Sequence, residues 1–385
     1  MIKYLGSKRT LVQKIVSVVQ QCERARSVLD LFSGTSRVGH ALKRHGYRVA
    51  ANDHNAYAAV LARCYVQADR EDVIHDAEKL VRELNGTKGT AGYFTETFCI
   101  KSRFFQPKNG ERIDAIRERI AELSLPPELE SVMLVALMEA ADRVDSTTGV
   151  QMAYLKGWAA RSYNDLELRV PAVLPRARCG KGEAHMLEAL DGARSIATDV
   201  AYVDPPYNQH SYLGNYHVWE SLIRWDKPEP YGVACKRLDC KTRRSVFNSK
   251  PQFAAAFDEL LRTIQAPVLV VSFNNEGYIT RSQLEELLRS LWSGTARVAV
   301  LENDYKRYVG AQIGIFNPKG EKVGKVSHLR NSEYIFVASQ SDLPPSLLSS
   351  TLTRTSHPHN LPNSTASAAN ESGRSQSSTT SNSRA

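Results

Sequence analysis

Between Thr10 and Gln21 the apolar residues Leu11, Ile15, Val18 and Val19 recur at helical spacing, and Ser27-Val28-Leu29-Asp30-Leu31-Phe32 follows as a short, nearly continuous apolar run. The first pattern predicts an amphipathic helix and the second a buried strand. A helical stretch carrying Val38, Ala41 and Leu42 then leads into a second strand, Tyr47 to Ala51. Strand, helix and strand in this order open a doubly wound α/β sheet. Ala56 to Ala68 and Asp72 to Leu84 continue as helices until Asn85-Gly86-Thr87-Lys88-Gly89-Thr90 breaks the pattern with turn-forming residues.

From Ala91 to Pro171 the periodicity is mostly helical, clearest over Arg112–Leu123 and Pro127–Asp142, with no alternation of strands. This predicts an inserted helical module. The sheet pattern resumes at Ala197–Val203 and Pro267–Phe273, and Val298–Glu302 with Glu333–Ala338 predicts an antiparallel closure of the sheet. From Ser341 to Ala385 there is no aromatic residue and much Ser, Thr, Asn and Pro, a composition that predicts a disordered tail. The expected division is therefore 1–90 with 172–340 as the sheet domain, 91–171 as the helical insert and 341–385 as the tail.

The chain has 385 residues and no run of about 18 apolar ones, which excludes a helical membrane span. Lys plus Arg number 50 against 41 for Asp plus Glu, a net charge of +9 that favours a polyanionic partner. Six cysteines lie scattered without a Cys-x-x-Cys pair, and the start Met1-Ile2-Lys3-Tyr4 lacks a signal-peptide layout, so a reduced, cytoplasmic location is expected. Cys235 and Cys240 with His217 upstream match no standard zinc-ligand spacing, and no metal is expected.

Chemistry concentrates at strand ends. Asp30-Leu31-Phe32-Ser33-Gly34-Thr35-Ser36-Arg37-Val38-Gly39 is a strand turning through small residues into a helix, where a ligand can approach the backbone and unpaired N–H groups face an anion. A plain strand-to-helix turn fits the same residues. Asp53 ends the next strand about twenty residues on, where nucleotide-binding sheets place a ribose-binding carboxylate. It also fits a helix cap.

Asp204-Pro205-Pro206-Tyr207 follows the apolar run Val200-Ala201-Tyr202-Val203. Two prolines cannot continue a central strand, so the chain leaves the sheet there as a rigid platform with outward carbonyls. The Asp204 carboxylate and the Pro205 carbonyl can accept the two protons of an exocyclic amine, while the Tyr207 ring stacks on a flat base. The amino nitrogen of adenine shares its lone pair with the ring and is a poor nucleophile. Two acceptors favour a tetrahedral nitrogen that can attack an electrophilic methyl group in line, with catalysis by positioning and preorganised dipoles.

In the order of these motifs the chain resembles the DNA adenine methylases, S-adenosylmethionine-dependent enzymes in which a cofactor loop precedes Asp-Pro-Pro-Tyr. Tyr4-Leu5-Gly6-Ser7-Lys8 is similar to the family's N-terminal Trp-Ala-Gly-Gly-Lys element, Phe32-Ser33-Gly34 to its Phe-x-Gly loop, Asn52-Asp53 to its acidic position and Gly182-Glu183-Ala184 to its adenine-contacting segment. Ser36 stands where a second glycine is frequent, and Glu183 where Asp is commoner. The resemblance covers roughly residues 1–90 and 180–340. It implies a Rossmann-like methyltransferase sheet that binds S-adenosylmethionine through Tyr4, Lys8, Phe32, Gly34, Asp53, Glu183 and Asp204. The catalytic residues it implies are Asp204, Pro205, Pro206 and Tyr207. The implied reaction is methylation of adenine N6 in a specific sequence of double-stranded DNA, with a cognate restriction endonuclease as a possible companion. Cytosine N4, an RNA amine, and a DNA-binding relative without catalysis are the competing readings.

A DNA substrate requires the target base to be rotated out of the duplex. Lys236, Arg237, Lys241, Arg243, Arg244 and Lys250 crowd one segment, with His210, Tyr212, Tyr216 and Trp219 just upstream. Basic side chains can position phosphates and aromatic ones can hold an extruded base. A solvated loop, and packing roles for His217 and Trp219, fit the same residues. Asp304-Tyr305-Lys306-Arg307-Tyr308 mixes cations and aromatics similarly, or is an edge strand guarded by charge.

Overall fold

A computed structural model describes residues 1–6, 8–209, 211–306 and 330–352. The first helix, α1 (Val12–Gln20), precedes β1 (Ser27–Asp30), α2 (Arg37–Arg44) and β2 (Arg48–Asn52), as the apolar periodicity predicts. Next come α3 (Ala56–Ala62), which runs on as a π-helical turn over Arg63–Gln67, and α4 (Arg70–Asn85). The helical module holds α5 (Tyr93–Thr95), α6 (Pro107–Glu122) and α7 (Pro127–Arg143). The chain then passes through β3 (Glu183–His185), α8 (Ala189–Ser195), β4 (Val200–Val203), α9 (Tyr212–Asn215) and α10 (His217–Arg224) to a small hairpin, β5 (Pro230–Tyr231) and β6 (Lys236–Arg237). It ends with α11 (Lys250–Thr263), β7 (Val268–Asn274), α12 (Arg281–Arg289), α13 (Leu291–Gly294), β8 (Arg297–Lys306), β9 (Arg330–Ser339) and α14 (Pro345–Leu352).

Seven strands form one sheet in the order β3-β2-β1-β4-β7-β9-β8. The first five are parallel, while β9 runs antiparallel between β7 and β8. The antiparallel closure expected from Val298 and Glu333 onward is present, with the reversed strand one place in from the edge. Because both faces are covered, the central strands are apolar on both sides. Val28, Val200, Tyr202 and Val270 face α1 and α2, whereas Leu29, Ala201, Val203, Leu269 and Val271 face α8, α11 and α12. Strand connections diverge between β1 and β4, the switch point at which ligands bind in such sheets.

Residues 93–143 are mostly helical, whereas 144–171 are loop and turn apart from a 3-10 stretch at Ala160–Tyr163, and Phe94, Phe98, Phe104 and Phe105 share one core with α3, α4 and α10. Polar ties reinforce this packing. The Asp114 carboxylate of α6 accepts the N–H groups of Gly92, Phe94 and Thr95 at 2.8–3.0 Å, so it caps the start of α5 from outside. Arg117 donates to the carbonyls of Leu222 and Ile223 at 2.8 and 3.0 Å, satisfying the last turn of α10.

Of the segment expected to be a disordered tail, the part up to Leu352 is ordered. Leu343 and Leu347 are buried on the α1 side of the sheet as α14 forms. Two leucines at helical spacing bury enough surface locally to offset ordering, a signal that the average composition of 45 residues conceals. Residues 353–385 lie outside the described ones.

The sheet admits β3 only because Gly182 precedes it. A Cβ there would stand 2.5 Å from the Val66 carbonyl oxygen and 3.1 Å from that of Val49, both backbone atoms. Gly182→Ala is therefore expected to cost about 1–3 kcal/mol, the range for overpacking, measured as a lower urea midpoint; an unchanged midpoint would contradict this contact.

Candidate active site

A cleft with about 790 Å³ of open space, solvent included, lies at the carboxyl ends of β1, β2 and β4. Its floor is the loop after β1. Ser33 N–H donates to the Asn52 carbonyl at 2.9 Å and Gly34 N–H to Asp53 Oδ2 at 3.0 Å, so the ends of β1 and β2 hold each other. Gly34 has a left-handed φ of +49°, and a Cβ on it would be 3.3 Å from the Tyr4 ring. Ser36, where a glycine is frequent in the related pattern, also adopts φ +56° at the start of α2. A serine thus takes a conformation usually left to glycine.

Asp53 stands two residues before Asn55, the N-cap residue of α3, and so is not itself the expected cap. It lines the cavity, and it also organises the chain by accepting Asn55 N–H at 3.0 Å and Asn55 Nδ2 at 3.1 Å. Asp30, Asp53 and Asp204 all border the cavity, as do Ser33 and Asn55, whose buried Oγ and Oδ1 have no hydrogen-bond partner among the described residues. Unpaired buried polar atoms are costly unless a ligand or water meets them.

The aromatic and basic ends of the N-terminal element are brought to the same place. Tyr4 stacks on Tyr212 (centroids 5.2 Å, planes 11° apart) and on Tyr216 (4.5 Å, 15°). Its hydroxyl lies 3.1 Å from that of Tyr57. Gly6 passes so close to Tyr212 that a Cβ would be 2.8 Å from the hydroxyl. Lys8 is buried, with Nζ 3.1 Å from Asp204 Oδ1, 2.5 Å from Glu333 Oε1 and 5.8 Å from the centre of the Tyr207 ring. Burial opposes its charge, but Asp204, Tyr207 and Glu333 outweigh that and hold the ammonium well above its ordinary value.

Asp204 leaves the end of β4 as the strand stops at the two prolines. Burial pushes its carboxyl up to about 6, with Glu333 adding to the rise and Lys8 opposing it. Tyr207 is fixed by a 3.2 Å hydrogen bond that Asn274 Nδ2 donates to its hydroxyl, and by its ring against Phe273 at 5.1 Å. Asp204, Pro206, Tyr4, Lys8, Phe32, Gly34 and Asp53 thus meet at one cavity, with Pro205 and Tyr207 in the same platform.

Glu183 does not join them. It sits exposed on the outer strand β3, 3.0 Å from Arg48 and 3.2 Å from His185. The chain instead reaches the site at the carboxyl end of β3. Leu187, Glu188 and Ala189 line a smaller hollow that shares Phe32, Asp53, His54 and Pro206 with the main cavity. Leu187 N–H and the Asn52 side chain bond each other's element there. A three-residue strand left too little pattern to set this register from sequence.

The basic segment divides into two groups. Arg237 is buried between Asp226 and Asp239, and Arg243 pairs with the buried Glu220 at 3.2 Å while donating to the His54 carbonyl at 2.9 Å. These two serve internal structure, although Arg243 also borders the cavity. Lys241, Arg244 and Lys250 are exposed, and Lys236 is half-buried. Tyr212 lines the cavity, whereas Trp219 and His217 are fully buried and His217 Nε2 bonds the Gln151 carbonyl. His210, Arg307 and Tyr308 lie outside the described residues; Asp304 to Lys306 continue β8. Sequence reasoning missed Asn55, Glu188 and Glu333 as site residues, which carry no motif of their own and gain meaning only by proximity.

Comparison with known proteins agrees with this geometry. The family described as D12 class N6 adenine-specific DNA methyltransferase matches residues 4–270. Type II methyltransferase M.NlaIII of Neisseria lactamica is 27% identical over 348 residues, covering 87% of this chain and 98% of that protein. Modification methylase StsI of Streptococcus sanguinis is 28% identical over 323 residues, 80% of this chain but 49% of that protein. Type II methyltransferase M.CviAII of Paramecium bursaria Chlorella virus 1 is 27% identical over 80% of this chain and 92% of its own length. The chain therefore spans nearly all of the first and third relatives and about half of the second.

Asp30 shows what such a site costs the fold. Burial raises its carboxyl to about 7, against the pull of Gly39 N–H, which it accepts at 3.0 Å. An unfolded Asp releases its proton near pH 4. Stability is thus unpenalised below that pH and falls as pH rises towards 7, because the native state retains a proton that the unfolded chain has lost. Asp30→Asn is expected to raise the melting temperature by at least about 2 °C at pH 8 and to leave it unchanged at pH 4. Equal melting temperatures of the two proteins at both pH values would refute the assignment.

Proposed function

The chain belongs to the D12 class of N6 adenine-specific DNA methyltransferases, and we propose that its cavity binds S-adenosylmethionine while Asp204-Pro205-Pro206-Tyr207 holds the adenine amine. The observation that carries this reading is the ionisable Asp204 carboxylate, largely shielded from solvent at the end of β4 beside Lys8 and lining a cavity whose polar atoms include two without partners among the described residues.

The donor and acceptor set fits the cofactor. Asp53, joined by Asp30 above about pH 7, supplies negative charge for its cationic groups, Ser33 Oγ and Asn55 Oδ1 supply hydrogen-bonding atoms that have no partner among the described residues, and Phe32 supplies an apolar wall. Tyr4, Lys8 and Gly34 complete the proposed cofactor side, with Leu187 and Glu188 taking the place first given to Glu183. When bound, S-adenosylmethionine supplies an electrophilic methyl group on a sulfonium.

The chain's own work is to hold the amine. The Asp204 carboxylate accepts one amino proton and the Pro205 carbonyl the other, which withdraws the nitrogen lone pair from conjugation. Tyr207, anchored by Asn274 and Phe273, offers a fixed ring for the base to rest on. None of these groups must reorganise as positive charge grows on the nitrogen, which is where preorganised acceptors lower a barrier most. Exposed Lys241, Arg244 and Lys250 are the proposed phosphate contacts on double-stranded DNA, and residues 91–171 the proposed reader of sequence. A cognate restriction endonuclease as a companion, and a cytoplasmic location, are part of the same proposal. Among the described residues no helix is long and apolar enough to cross a membrane.

Asp204→Ala is expected to lower kcat by at least about 10²–10³-fold, the cost of losing one preorganised partner, with cofactor affinity by calorimetry largely retained. Wild-type turnover in the variant would end this assignment. Since only the carboxylate accepts, methylation of plasmid DNA should fall as pH drops through about 6. A rate flat from pH 8 to 5 would contradict it. Nucleoside mass spectrometry of the product is expected to report N6-methyladenine.

A further inference from the structure

Lys8 does not pair with the motif alone. Its ammonium lies between two carboxylates from distant parts of the chain, Asp204 at the end of β4 and Glu333 on β9, and all three side chains are largely buried. Glu333 is directly opposite Asn274 in the β7–β9 ladder. Asn274 in turn holds the Tyr207 hydroxyl. One cross-strand pair therefore grips the platform at two points, Tyr207 through Asn274 and Asp204 through Glu333 and Lys8.

We propose that Glu333 is a positioning residue for methyl transfer: by sharing Lys8 with Asp204, it leaves the Asp204 carboxylate only partly neutralised by the ammonium, and so a stronger acceptor for the adenine amine. The inference rests on the role of Asp204 proposed above. A buried Lys–Asp pair in isolation directs the whole ammonium charge at one carboxylate, which stabilises its ionised form and weakens it as an acceptor. A second carboxylate on the same ammonium draws part of that charge away. The direction of the effects on Asp204 agrees: after burial, Glu333 raises its carboxyl while Lys8 lowers it. The groups facing Asp204 are Lys8 from the N-terminal loop, Glu333 from β9, Asp30 from β1, Tyr202 from β4, Tyr207 from the platform and Tyr212 from α9. Among these, Glu333 alone combines a carboxylate with direct contact to Lys8 outside the motif.

The sign of the test follows from electrostatics. Glu333→Gln keeps shape and hydrogen bonding but removes one negative charge and leaves Lys8 to Asp204, and both changes make Asp204 more acidic. The acid limb of kcat for plasmid methylation should move down by about one pH unit, within the range for a charge a few ångströms away. Plateau kcat at pH 8 should fall, with KM for S-adenosylmethionine unchanged. Glu333→Asp restores a carboxylate at shorter reach and should recover part of both effects. If Glu333→Gln does not fold, as judged by calorimetry, the same limb is read in Glu333→Asp alone, where a smaller downward displacement is expected. A reduced kcat with an unmoved limb would identify Glu333 as mere scaffold and overturn the proposal, as would wild-type behaviour. Asp204→Ala run in parallel separates the two levels: activity in that variant removes the reading of the platform itself, whereas its inactivity beside an unmoved Glu333→Gln limb removes only the role of Glu333.

Discussion

A buried ammonium group that must find compensation is the constraint on which the site depends. Lys8 cannot remain charged away from water without carboxylates around it. Asp204 and Glu333 meet that requirement from parts of the chain 129 positions apart. Their convergence fixes the N-terminal loop, the end of β4 and the reversed strand β9 relative to each other. Tyr4 stacked on Tyr212 and Tyr216 adds a second tie between that loop and the helices after the motif.

The sheet makes this convergence possible. Parallel strands covered on both faces end together along one edge, so Asp30, Asp53 and Asp204 reach a common cavity although 174 residues separate the first from the last. The loop after β1 is then locked by Asn52 and Asp53, leaving Ser33 and Asn55 with polar atoms that have no partner among the described residues. Stability is given up at this edge: burial disfavours the charge of Asp30 and Asp204, whose carboxyls are both raised.

Most of this organisation was legible in the residues. Short apolar runs marked β1, β2, β4 and β7, helical periodicity marked the main helices, and two prolines after an apolar run marked where β4 had to end. What escaped is of a different kind. Glu183 was placed by a short local resemblance, but three strand residues cannot set their register, and the chain reaches the pocket at Leu187 and Glu188. The run of six cations read as one patch because sequence shows charge without partners, and Asp226, Asp239 and Glu220 withdraw Arg237 and Arg243 from it. Leu343 and Leu347 were hidden by the polar average around them. Glu333 was visible only as a strand residue, since its meaning depends on a partner 325 positions away.

The late placement of β9 has a bearing on biosynthesis. During synthesis from the N-terminus, the loop after β1 and the proline platform emerge long before the strand that carries Glu333. A nascent chain that has reached only Leu329 lacks the second carboxylate and the strand that braces β7. Assembly of this end of the sheet is thereby deferred until β9 has left the ribosome.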